Sequence, residues 1–283
     1  MLEIKNLSKR FIYSGFEIKD ISFSLKPGYI MGFIGPNGSG KSTTIKLIMN
    51  LLKKNSGEIK IFGKDHIEYE KEIKDRIGFV YDESHFYESF SIDEMKSLIA
   101  PFYSKWDDEV FYRYLEDFDL KANQVIKTLS KGMKMKFALA IALSHDADLI
   151  IMDEPTSGLD PIFRREILDV LYNIMQNENK SIFFSTHITS DLDQIADYIT
   201  YIDKGKLVFS KSVEEIMDTY KLVKGGPDLL NDYKKKELLG FRESRVGFEG
   251  LTDNIENVKS VFGRELIIEK PSLEDIMYYT RGR

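Results

Sequence analysis

The sequence predicts an α/β fold, and three observations carry that prediction. An apolar run, "YIMGFIG", enters a glycine-rich turn and then a stretch with helical spacing. Two further buried-type runs, "DLIIMDE" and "KSIFFSTH", flank the helical segment "IFRREILDVLYNIMQNE". Ahead of all of them, the N-terminal residues alternate apolar and polar in the period of strands. Continuous apolar strands interleaved with amphipathic helices are the pattern of an α/β domain.

Taken in order, "LEIKNL" and "FEIKDISFSL" alternate and read as half-buried strands. "KSTTIKLIMNLL" repeats Ile45, Leu47, Ile48, Leu51 and Leu52 at helical spacing. Strands resume at "GEIKIFG" and "RIGFVYD". From Ser91 to Leu143 the pattern is helical, opening on a Ser91/Glu94 capping box. "DQIADYITYIDKGKLVFS" reads as a helix end and a hairpin that turns at Asp203, Lys204 and Gly205. Near Lys211 the character changes, with a lysine-rich patch in "YKKKELLG". The expectation is therefore one domain over residues 1–210, with a helical part at about 83–145, and a small C-terminal α/β domain over 211–283.

The 283 residues are enough for a large core, and 42 % hydrophobic with 30 % charged residues is ordinary for a globular chain. A net charge of −6 gives no electrostatic reason to expect nucleic acid as a partner. The absence of cysteine excludes a disulfide framework and thiolate catalysis. "MLEIKNLSKRF" is unlike a signal peptide, and no apolar run approaches the ~18 residues of a membrane-spanning helix. The expectation is a chain that does not cross a bilayer.

The most specific motif is the turn after the first apolar run. Gly35, Pro36, Asn37, Gly38, Ser39, Gly40, Lys41 and Ser42 spell G-x-x-x-x-G-K-[ST], with Thr43 next. A strand precedes the motif and a helix follows it, which is the context a phosphate-binding loop needs. Glycines let backbone N–H groups turn inward around phosphate oxygens, and the helix dipole points its positive end at the same anion. Lys41 can reach the β- and γ-phosphates and Ser42 can hold Mg²⁺.

Asp153 and Glu154 end the apolar run "DLIIMDE". Asp153 is placed to orient Mg²⁺ or its bound water. Strand alternation sends Glu154 to the other side, where it can polarise an attacking water. His187 ends the next strand, where a neutral imidazole can bond a γ-phosphate oxygen.

The phosphate loop, "LSKGM" beginning at Leu129, "DLIIMDEPTSGLD" and His187 stand in the order found in nucleotide-binding subunits of ABC transporters. Over roughly residues 1–210 the chain resembles that family. The resemblance implies a P-loop NTPase cassette with an antiparallel β subdomain, a RecA-like core and an α-helical subdomain. It further implies an ATPase that binds ATP and Mg²⁺, pairs head to tail with a second nucleotide-binding subunit, identical or related, and docks on integral membrane permease subunits. The chain would then sit in the cytoplasm, peripheral on the inner face of the membrane.

By the same resemblance Ser130 and Gly132 act in trans on the partner's ATP, Phe11 (or Tyr13) stacks on adenine, and the loop ending in Asp160 communicates across the dimer. Lys131 replaces a glycine and Met133 a glutamine of the usual pattern. Asp82, with Glu83 next, stands where a metal-contacting glutamine is usual; being shorter and anionic, Asp82 would reach the metal through water. "LSKGM" and the tail "PSLEDIMYYT" resemble small bacterial ABC-2-type exporters of antimicrobial or toxic peptides or of the envelope-stress group. The C-terminal domain would then be regulatory or support the dimer.

A non-transport ABC ATPase or a regulatory nucleotide-binding module is the alternative. The chain has neither a second cassette nor a long coiled-coil insertion, and the intact catalytic set argues against a mute module. Ten aromatics crowd the span from Phe86 to Phe118: Phe86, Tyr87, Phe90, Phe102, Tyr103, Trp106, Phe111, Tyr112, Tyr114 and Phe118. Some of them are expected to receive a short helix of a membrane subunit, the rest to pack the helical part.

Overall fold

The computed structural model describes residues 1–82, 85–263 and 265–281. The chain runs through β1 (Leu2–Arg10), β2 (Glu17–Leu25), β3 (Ile30–Ile34), α1 (Lys41–Ile48), β4 (Ser56–Ile61), β5 (Lys64–Asp65), α2 (Glu70–Lys74) and β6 (Ile77–Val80). It continues through α3 (Ile92–Ile99), α4 (Asp108–Asp117), α5 (Lys131–Leu143), β7 (Leu149–Asp153), α6 (Pro161–Ile174), β8 (Ser181–Thr186), α7 (Thr189–Ile195), β9 (Tyr198–Asp203) and β10 (Lys206–Ser212). It ends with α8 (Val213–Thr219), β11 (Lys221–Gly225), β12 (Gly240–Ser244), β13 (Gly247–Thr252), α9 (Ile255–Phe262), β14 (Ile267–Glu269) and α10 (Leu273–Thr280).

Two compact units result: residues 1–188 with 200–210, and residues 189–199 with 211–283. In the first, β2-β1-β4-β5 make an antiparallel sheet. A six-stranded sheet has the order β10-β9-β3-β8-β7-β6, with β3, β8, β7 and β6 parallel. Strands β3, β7 and β8 are buried along their whole length. That is why they read as continuous apolar runs rather than alternating ones. Phe23, Phe33 and Phe183 stack at 5.2–5.8 Å in the core below.

Between β6 and β7 the chain is helical. Ser91 and Glu94 form the expected capping box on α3, and Asp107 caps α4. Of the ten aromatics, Phe111 and Phe118 are buried. Tyr87, Phe102 and Tyr112 remain 62 %, 81 % and 42 % exposed, and the others are half-buried. Core packing therefore uses only part of the set.

One helix boundary differs from the sequence reading. The spacing extends the first helix to Leu52, but α1 stops at Ile48. Asn50 takes a left-handed φ of 55°, so Leu51 and Leu52 both donate to the Lys46 carbonyl as the helix unwinds.

In the second unit β12-β13-β11-β14 form an antiparallel sheet. Val223, Leu238, Phe248, Val258 and Phe262 make its core, which packs α9 on the sheet. Helix α7 packs on α10, which is why residues 189–199 group with this unit.

Candidate active site

The loop between β3 and α1 is shaped by three glycines. Gly38 and Gly40 have φ of 78° and 110°, conformations in which a side chain is strained. At Gly35 a Cβ would lie 2.2 Å from the Ile202 carbonyl oxygen. The loop is pinned from outside as well, because Gly205 in the β9–β10 turn donates its N–H to the Ser39 carbonyl at 2.9 Å. Lys204 and Gly205, both left-handed, form that turn where the sequence places it.

Phe16, Asn37, Gly38, Gly40, Lys41, Ser42, Thr43, Asp82, Glu154, Ser157 and His187 line a cavity of about 650 Å³. Gly35, Pro36 and Ser39 belong to the same loop but are absent from this lining among the described residues. Ser39 Oγ is buried without a partner among the described residues. Lys41 donates to the carbonyls of Gly35 (2.8 Å) and Pro36 (3.4 Å), and pairs with Glu154 Oε1 at 3.1 Å.

Glu154 is the hub of the cavity. Its other carboxylate oxygen, Oε2, lies 2.7 Å from His187 Nδ1 and accepts the His187 backbone N–H at 3.2 Å. The strand alternation that would send Glu154 to the opposite side ends at Asp153. Glu154 takes a φ of 50° instead, which turns its carboxylate towards Lys41 and His187. Left-handed backbone at a glutamate costs about 1–3 kcal/mol and is maintained by surrounding bonds. Those bonds come from Ser185, whose carbonyl (3.0 Å) and hydroxyl (3.1 Å) both accept the Glu154 N–H.

Because His187 Nδ1 faces a carboxylate, that nitrogen carries the ring hydrogen. The Nε2 of a neutral ring is then an acceptor. Donation from Nε2 to a phosphate oxygen requires an imidazolium, or release of Nδ1 from Glu154.

Asp153 is 4 % exposed. Burial pushes its carboxyl up, hydrogen bonds from Ser185 and Ser42 pull it partly back, and the charges of Glu154 and Asp82 push it up again. The Ser42 hydroxyl and the Asp153 carboxylate, close enough to interact beside the phosphate loop, form a donor set that suits Mg²⁺. This ion takes one or two protein oxygens and leaves the rest of its octahedron to phosphate and water. Among the described residues no cluster of three or more acidic, His or Cys side chains competes with that arrangement. Asp82 is exposed at the cavity's edge, and Glu83 lies outside the described residues.

Ser130 caps α5, accepting the Met133 N–H at 3.2 Å as its residue type predicts. A Cβ at Gly132 would lie 3.1 Å from the Phe163 ring. Asp160 caps α6, accepting from Ile162 and Phe163. Among the described residues, the lining of the Lys41 cavity includes none of Ser130, Gly132 and Asp160. The lysines around Ser130 have partners of their own. Lys134 pairs with Glu88 and Lys136 with Glu166, both at 3.0 Å, and the Lys131 ammonium lies over Gly158.

The aromatic assignment differs from expectation. Phe11 is absent from the cavity lining among the described residues, and Tyr13 is fully exposed. Phe16 lines the cavity, its ring edge 3.1 Å from where a Gly40 Cβ would be, and Phe11 sits behind it at 6.3 Å. The sequence reading missed Phe16 and Ser185, and it assigned Ser157 to the cross-dimer loop ending at Asp160 rather than to this cavity. Phe16 carried a signal, as a third aromatic in the same short loop after Phe11 and Tyr13, whereas a serine inside "SIFFST" carries none.

With the geometry of the cavity established, the chain can be compared with known proteins. The family described as ABC transporter matches residues 18–157. The bacitracin transport ATP-binding protein BcrA of Bacillus licheniformis is 35 % identical over 193 residues, which cover 68 % of this chain and 63 % of that protein. The uncharacterized ABC transporter ATP-binding protein YhcH of Bacillus subtilis is 34 % identical over 220 residues, covering 76 % and 71 %. Among solved structures, an ATP-binding cassette captured as a dimer in a post-hydrolysis state with ADP and Pi superposes with a TM-score of 0.67. It is 25 % identical and covers 75 % of this chain and 99 % of its own. No helix among the described residues is long and apolar enough to cross a membrane. The sequence identity and the shared fold lead to one conclusion: the chain belongs to the ABC transporter family, as an ATP-binding subunit of the ATPase class.

Proposed function

We propose that this chain hydrolyses ATP as one half of an ATP-dependent dimer and drives export through separate membrane subunits. The observation that carries the reading is the Glu154 carboxylate, bonded at once to Lys41 and His187 within the phosphate-loop cavity. In this reading Lys41 leaves Glu154 for the β- and γ-phosphates, and Glu154 turns to hold and deprotonate the attacking water. His187 moves with Glu154 and keeps its orientation. Ser42 and Asp153 would hold Mg²⁺, which supplies charge neutralisation for the phosphates, and Asp82 would act on it only through water. Excluding water from this cavity strengthens each of these contacts.

Phe16 is the better candidate than Phe11 for stacking on the adenine, because it is the ring that faces the cavity. Ser130 and Gly132 would serve the second subunit's nucleotide, in keeping with their absence from this cavity's lining among the described residues. Asp160 would act at the same junction while capping α6. The exposed rings of Tyr87, Phe102 and Tyr112 would meet a cytoplasmic helix of the permease at the inner face of the membrane. Residues from 211 onward would form the accessory domain.

BcrA is named for bacitracin transport, which supports peptides, antimicrobials or lipid-like compounds as the exported class. The test is capture of tagged Glu154→Gln from solubilised membranes of the native host with ATP present. A stoichiometric polytopic membrane protein is the expected companion. Ribosomal or DNA-associated proteins without one would overturn the transport reading and leave the ATPase standing.

A further inference from the structure

We propose that Ser185 is a positioning residue that sets the geometry of both acidic groups of the active site through one hydroxyl. The inference rests on the reading of Asp153 as the metal ligand and Glu154 as the base. Ser185 lies on β8 directly opposite Asp153 in the parallel register. It has no exposed surface and lies in a fully buried strand whose middle is Ile182, Phe183 and Phe184. Its Oγ donates to Asp153 Oδ1 at 2.6 Å and accepts the Glu154 N–H at 3.1 Å, so the hydroxyl is used in both directions.

Each bond has a separate consequence. Donation to Oδ1 stops the Asp153 carboxylate rotating about its own axis. It thereby fixes which oxygen is presented towards the nearby Ser42 hydroxyl. Acceptance from the Glu154 N–H, together with the Ser185 carbonyl at 3.0 Å, holds the glutamate backbone at φ 50°. From that conformation the Glu154 side chain reaches Lys41 and His187. A single serine thus couples metal presentation to the aim of the base. An apolar residue would satisfy β8 packing equally well but would leave Asp153 without its buried donor.

Ser185→Ala is informative because the Glu154 N–H keeps the Ser185 carbonyl as acceptor, so no backbone donor is orphaned. Three readouts separate positioning from folding. Binding of a fluorescent ATP analogue in EDTA reports the phosphate loop alone and is expected to stay within about twofold of wild type. Mn²⁺ titration followed by electron paramagnetic resonance, with a non-hydrolysable ATP analogue present, is expected to show about 10-fold weaker metal binding. Turnover is expected to fall about 10–100-fold with KM for ATP changing less than about threefold. Ser185→Thr keeps the hydroxyl on a strand that suits a β-branched residue and is expected to restore most of both losses.

Wild-type metal binding and turnover in Ser185→Ala would overturn the proposal. So would a parallel loss of metal-free nucleotide binding, which would mean the serine only supports the fold, or a threonine variant as impaired as alanine. A wild-type protein whose hydrolysis does not depend on metal would instead overturn the parent reading of Asp153. The two failures are therefore distinguishable.

Discussion

Replacing Glu154 by glutamine tests the centre of the site with the least disturbance, because the side chain keeps its length and one carbonyl oxygen. Lys41 and Glu154 form an ion pair at 3.1 Å, with side chains only 5 % and 9 % exposed. At an effective dielectric of ~20, Coulomb attraction at that distance is about 5 kcal/mol. Desolvation of both groups offsets much of it. In Glu154→Gln the ammonium still donates to Gly35 and to the new amide oxygen, so the loss for the nucleotide-free protein is about 1–3 kcal/mol. The barrier to hydrolysis rises more, because general-base catalysis contributes ~10²–10⁴-fold, or about 3–5 kcal/mol. The variant is therefore expected to melt a few degrees lower without nucleotide, to bind ATP at least as well as wild type, and to turn over at least about 100-fold more slowly. Phosphate release, fluorescent-nucleotide titration and size-exclusion chromatography with Mg-ATP measure these effects, the last showing an accumulated dimer. Turnover within tenfold of wild type would refute the base assignment. A persistent monomer would refute the action of Ser130 and Gly132 in trans.

Lys41→Ala removes a charge-assisted phosphate contact and should weaken ATP binding by about 10–150-fold; unchanged affinity in a nucleotide titration would remove its assigned role. Phe16→Ala should raise the ATP dissociation constant by about 5–150-fold, through lost base stacking, and Phe11→Ala by much less; the reverse order would return the stacking role to Phe11. Gly205→Ala would place a Cβ 1.8 Å from the Glu17 carbonyl oxygen at a φ of 74°, so a loss of more than about 1 kcal/mol is expected in chemical denaturation. Burial holds the His145 imidazole below its usual value of 6.5, with the Ile77 and Ile141 carbonyls offsetting this in part. Between the folded and unfolded values the unfolded chain binds more protons, so stability is full above about pH 6.5 and falls as pH drops through that window. Melting temperatures from pH 7.5 to pH 5 should therefore fall more steeply for wild type than for His145→Gln.

Local chemistry made much of this protein legible without coordinates. The phosphate loop, the Ser91/Glu94 capping box, the cap at Ser130, the Lys204–Gly205 turn and the apolar strands β3, β7 and β8 each depend on residues adjacent in the chain. Their backbone geometry follows from glycine freedom, side-chain capping and complete burial, which are properties of short segments. Where a competing local conformation won, the sequence pattern misled. Asn50 ended α1 a turn early, and Glu154 left the strand alternation that its position suggested.

What only the tertiary structure decided is which distant side chains meet. Phe16 rather than Phe11 faces the cavity because the β1–β2 loop folds its last aromatic onto Gly40. Residues 189–199 join the C-terminal unit because α7 packs on α10, a contact made across some eighty residues of chain. Ser185 acquires its place only from the parallel register of β7 on β8, which sets it opposite Asp153. Sequence determined the types of chemistry available, since these reside in individual side chains. Strand register and loop packing determined which of those side chains act on one another, because hydrogen bonding and charge act only over a few ångströms.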